Sequence, residues 1–265
     1  MRPTEQSKER RLLATMTNEP FQPVRLYYAI PDPSIVIRKL RALNCMAEVP
    51  PERCWQWLFH AEAAPLRFVG GYDDVPKEKR PIILGRIRFP QSDSMTLQTN
   101  SIPRAIEGAR FFGPRLGREI VAMRCRVVNR CFAADEGRPE ELQKTLDHDV
   151  TVIDPRSAEI ALRRELKDLR KLHDAQRATT EFMERRLKGK EDVPMVEDFP
   201  LAPEEETPEF QHLATTLQFR LIRAFEHWQG NTHLTLAAII VRTVDEGLWA
   251  RSGLQGQLPG TPSGE

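Results

Sequence analysis

Between residues 24 and 132 the chain returns several times to strict alternation of apolar and polar residues. A period of two commits such stretches to β-strands with one buried and one solvated face. In Val24–Ile30 the residues Val24, Leu26, Tyr28 and Ile30 point one way, and Arg25, Tyr27 and Ala29 the other. The pattern recurs in Ile82–Phe89, where Ile83, Gly85, Ile87 and Phe89 oppose Arg86 and Arg88. A five-residue turn, Pro90–Ser94, leads to a third strand at Met95–Thr99, a spacing that suits a hairpin. The last strand is expected over Glu119–Phe132. There Val121, Met123, Cys125 and Val127 oppose Arg124 and Arg126, and Val127-Val128 suggests a bulge.

Helical spacing fills the intervals. Pro31-Asp32-Pro33-Ser34 ends the first strand, and Ile35–Leu43 places Ile37, Leu40 and Leu43 on one side. Asn100-Ser101-Ile102-Pro103 is a helix-start signal, followed by a stripe of Ala105, Ile106, Ala109, Phe112 and Leu116. Pro114 and Gly117 should stop that helix. Residues 45–80 read as an insertion. In it the pair Pro50-Pro51 opens a short helix, RCWQWLFHAEAA, and an irregular run follows with Gly70-Gly71 and Asp73-Asp74. The resulting βαββαβ order predicts an α+β, ferredoxin-like antiparallel sheet domain over 21–150.

The rest of the chain reads as a helical hairpin or bundle. Asp154-Pro155 opens a long helix expected to about Lys188, within 151–190. Residues 191–209 hold eight acidic residues, no basic ones and four prolines, which predicts a linker. A helical pair is expected over 210–252. Its first member stops at Gly230, and its second, from about Thr232 to Ala250, is apolar on most sides and is expected to be the most buried. A leader at 1–20 and a tail at 253–265 are expected to be flexible.

The net charge of +1 conceals a division. Residues 1–130 carry 22 basic and 13 acidic residues, and 131–265 carry 17 and 25. No segment is apolar over the ~18 residues of a membrane span, and the N-terminus lacks a signal-type apolar run. A cytoplasmic protein with no membrane partner is the expectation. The four cysteines form no C-x-x-C, and Cys125 and Cys131, in a strand-like stretch, are expected to act as small apolar residues.

Arginine placement carries the functional signal. Residues 80–130 contain ten arginines, no lysine and three acidic residues. If the helices cover one face of the sheet, Arg25, Tyr27, Arg86, Arg88, Arg124 and Arg126 gather on the other, with Thr96 and Gln98 between them. The planar guanidinium binds phosphate bidentately and stacks on bases. The expectation is therefore a non-enzymatic protein contacting RNA or DNA through backbone phosphates, with the acidic 191–209 segment able to occupy the same face in the free state. The alternative is a structural or adaptor protein whose basic front and acidic helical back, through the C-terminal helices, mediate self-association or docking to a protein partner. No nucleotide loop, nucleophile elbow or metal-ligand spacing is present, so no cofactor or metal is expected. His148 with Asp147 and Asp149 is the nearest approach to an acid/base cluster.

Overall fold

The computed structural model describes residues 10–174, 177–178, 181, 193–201 and 209–245. Along the chain come β1 (Val24–Ala29), α1 (Pro33–Arg41), β2 (Met46–Val49), β3 (Cys54–Leu58), β4 (Ile83–Gln91), β5 (Ser94–Thr99) and α2 (Ile102–Leu116). They are followed by β6 (Val121–Val128), α3 (Pro139–Leu142), β7 (Val150–Val152), α4 (Pro155–Leu172), β8 (Val196–Pro200), α5 (Glu209–Trp228) and α6 (Leu236–Asp245).

The ferredoxin-like domain expected from the sequence is not what forms. All eight strands join one mixed sheet in the order β2-β3-β4-β5-β1-β6-β8-β7. The pair β7–β8 is parallel and every other pair antiparallel. Two additions account for the difference. The stretch expected as an insertion supplies a hairpin, β2–β3, that extends the sheet beyond β4. On the other side Val196–Pro200, inside the stretch expected as an acidic linker, is strand β8 between β6 and β7.

CWQWL, Cys54–Leu58, is a strand, not part of the expected helix. Pro50–Glu52 forms a single 3-10 turn, Arg53 takes a left-handed conformation (φ 48°), and the chain folds back along β2. In a strand Trp55 and Trp57 share a face, so both indoles enter the core, which a helix would have prevented. Trp57 packs on Phe111 and Phe112 at centroid distances of 5.4 and 5.2 Å.

Leu26, Tyr28, Ile87 and Leu97 of the sheet share a buried cluster with Val36 and Leu40 of α1, Ala105, Ile106, Ala109 and Phe112 of α2, and Leu213, Leu217 and Leu221 of α5. These helices thus cover one face of the sheet. Asp32 caps α1 and Ser101 caps α2, the latter accepting from the Arg104 amide at 3.3 Å. Gly117 ends α2 at φ 96°. Helix α6 packs on α5, but Ile240 is exposed and only Ile239 of its described apolar side chains is buried, so it is peripheral.

Part of the expected leader is built into the fold. Thr17 and Glu19 are buried, and Arg104 donates to the Thr17 hydroxyl at 2.7 Å with its Nε 3.5 Å from Glu19. Residues 1–9 of that leader, the tail at 253–265, and parts of the expected long helix (182–190), linker (191–192 and 202–208) and helical pair (246–252) lie outside the described residues. A second small core joins Phe21, Val128, Phe132, Leu146 and Val196. It anchors a strap, residues 139–149, in which α3 runs into a 3-10 turn at Gln143–Asp147.

Candidate functional site

Register builds the site. Directly opposed residues of neighbouring strands share a face, and here they form two continuous rows. One runs Gln56, Arg86, Gln98, Arg25, Arg126, Asp198 across β3, β4, β5, β1, β6 and β8. The other runs Cys54, Arg88, Thr96, Tyr27, Arg124, Pro200. All six residues singled out from the sequence therefore lie on one face, the one that α1 and α2 leave uncovered. The bulge in β6 falls at Met123, because Tyr27 pairs with Arg124 and Tyr28 with Ala122. Met123 is consequently exposed instead of sharing the buried face of Cys125 and Val127. The bulge was expected at Val127-Val128.

Carboxylates divide the face into two parts. Arg126 donates from Nε to Asp198 at 2.7 Å and from Nη1 to the Leu146 carbonyl at 3.1 Å. Arg25 donates to both oxygens of Asp147 at 2.7 and 3.1 Å and to Gln98 Oε1 at 2.8 and 3.0 Å. These two arginines are largely enclosed, and the strap lies over them. The Arg25 guanidinium, with Arg126 nearby, holds the Asp147 carboxyl below the usual carboxylate range. Gln143 continues the strap's attachment, accepting from Gln98 at 3.2 Å and donating to Asn100 at 2.6 Å.

The second part is more open. Arg86 and Arg88 each lie 3.9 Å from one Glu52 oxygen, within ion-pair range but beyond a hydrogen bond. Arg86 Nε is buried and makes no hydrogen bond. The Arg124 guanidinium lies over the Tyr27 ring at 4.0 Å, its Nε is 3.3 Å from Asp198, and its side chain is 40% exposed. Among the described residues, five arginines thus face three carboxylates, Glu52, Asp147 and Asp198, which leaves a positive surplus there.

Those three carboxylates were not singled out from the sequence as partners of the arginines. Asp147 stood there as part of a cluster with His148, but it turns to Arg25 and Arg126. Asp198 lay in the stretch read as an acidic, proline-rich linker able to occupy this face, and not as a strand of the sheet. Its apolar neighbours Val196 and Phe199 are the one local sign of a strand. On the same face Cys54 is buried, and burial pushes its thiol pKa up, with the hydrogen bond to Glu52 adding to the effect. It has no character of a nucleophile. Cys45, Cys125 and Cys131 are also buried free thiols. Among the described residues no helix is long and apolar enough to cross a membrane.

Compared with protein-family models, curated proteins and solved structures, the chain matches none.

Proposed function

We propose that the protein binds nucleic acid, RNA or DNA, through its backbone phosphates at the arginine-bearing face of the sheet. The observation that supports this reading is the unequal occupation of the arginines. Arg25 and Arg126 are held by short bonds to carboxylates and a carbonyl. Arg86 and Arg88 share a single carboxylate at 3.9 Å, and Arg124 is 40% exposed. The former pair shapes the surface, and the latter three supply the cations a phosphate meets. Arginine, with its fixed donor fork, suits that contact.

The test is fluorescence anisotropy with a labelled oligonucleotide over a salt series. Affinity should fall linearly with salt on logarithmic axes, with a slope of roughly 0.7–0.9 per phosphate contacted. Arg86→Gln, Arg88→Gln and Arg124→Gln together should remove binding, with circular dichroism confirming that the fold is retained. No binding at low salt by the unaltered protein would overturn the reading.

A second reading, self-association or docking to a protein through the helical part, draws on exposed Ile160 and Leu172 of α4. It requires a mass in light scattering that rises with concentration and falls when both residues become Glu.

A further inference from the structure

We infer that the nucleic acid bound at this face is single-stranded, with one base stacked on the outer side of Arg124 above Tyr27. The inference rests on the phosphate-binding reading above and adds the class of ligand.

The sheet itself argues against a duplex. Sequence-reading contact with a duplex requires an element that enters a groove, and the major groove, about 12 Å wide, admits a helix or a two-stranded ribbon. The arginines here belong to β4, β1 and β6, each paired on both sides within an eight-stranded sheet. The row from Arg88 to Arg124 crosses three strand spacings, about 14 Å. Such a surface touches a duplex only along its phosphates. A single strand, by contrast, can lie across it.

The stack is already partly assembled. Tyr27 occupies the row between Thr96 and Arg124, and its ring carries the Arg124 guanidinium at 4.0 Å with Arg126 at 5.5 Å. Buried Asp198 lies 3.3 Å from Arg124 Nε, an ion-pair contact beside the ring. The guanidinium faces the Tyr27 ring, and the Arg124 side chain is 40% exposed. A base placed there would add a third layer, with cation–π attraction on both sides of the cation. Across the row, Arg86 and Arg88 stand two residues apart on one strand, within reach of phosphates further along a strand that crosses the sheet.

The experiment uses the full chain and three probes: a labelled 16-nucleotide DNA strand, the same strand annealed to its complement, and inorganic polyphosphate as competitor. The single strand should bind at least tenfold more tightly than the duplex. Arg124→Lys retains the charge and removes the flat surface, and Tyr27→Leu removes the ring. Each should weaken the single strand about tenfold and leave duplex and polyphosphate binding within twofold, with melting temperatures confirming the fold. Equal affinity for single strand and duplex, or single-strand binding unchanged in Arg124→Lys, would overturn this inference and leave the phosphate reading standing. Failure of all three probes to bind at low salt would overturn both.

Discussion

Single residues without a β-carbon decide how the tryptophan core closes. Trp57 is fully buried opposite Gly85 and beside Gly108. A β-carbon at Gly108 would lie 2.7 Å from Leu97 Cδ2 and 3.2 Å from the Trp57 ring. Both neighbours are themselves enclosed, so neither can move aside freely. Gly108→Val is expected to destabilise the protein by about 2–3 kcal/mol through overpacking, despite removing a glycine from a helix interior. Chemical denaturation measures this, and a stability equal to the parent's would show that the indole has room. The period-two spacing of Trp55 and Trp57 was visible in the sequence. Its meaning was not, because a short apolar run bounded by prolines satisfies helix and strand alike until a partner strand is present.

At the scale of elements, the strap of residues 139–149 closes part of the arginine face through one carboxylate. The Asp147 carboxyl is held below its unfolded value by Arg25. Its ion pairs therefore contribute stability above the unfolded value of about 3.9, and that contribution is lost as pH falls through the lower folded value. The Asp147 side chain is 54% exposed, so screening keeps the contribution small. Asp147→Asn is expected to lower stability at pH 7 by at most about 1 kcal/mol. The two proteins should converge as pH falls below the ordinary carboxylate range and through the lower folded value, the pair being protonated away. Denaturation midpoints across that range are the measurement, and a difference that persists undiminished in acid would remove the ion pair as its cause. The same substitution takes a negative charge from beside Arg25 and Arg126, so oligonucleotide affinity at pH 7 should rise a few-fold.

For the whole molecule, a buried ion pair within the acidic back half is joined to the front half through Asn129. Glu197 on β8 accepts from Arg220 of α5 at 2.6 and 2.7 Å and from Asn129 at 3.0 Å. Arg223 donates to the Asn129 carbonyl at 3.0 Å. On the opposite side of the same strand, Asp198 receives Arg126. One five-residue strand thus places alternate carboxylates against the helices and against the arginine face. Glu197→Ala leaves Arg220 without its carboxylate and is expected to cost about 3–5 kcal/mol. Because β8 lies between β6 and β7, the loss should appear as a single shifted transition by circular dichroism and by tryptophan fluorescence. Two separated transitions would mean that the halves unfold independently.

Much of this architecture was legible without coordinates. The alternation in β1, β4 and β6 placed Arg25, Tyr27, Arg86, Arg88, Arg124 and Arg126 on one side of their strands, since the direction of a side chain in a strand is a local property. The caps at Asp32 and Ser101 were local as well. How many strands the sheet would hold, and which carboxylates the arginines would meet, depended on contacts between residues far apart in the chain. Residues 46–58 became a hairpin because β4 offered an unpaired edge. Val196–Pro200 became a strand because β6 offered another, and its acidic residues found arginines on both sides. Pairing edges and burying charges are decided by what arrives beside them, and only the tertiary structure brings Glu52, Asp147 and Asp198 to the arginines.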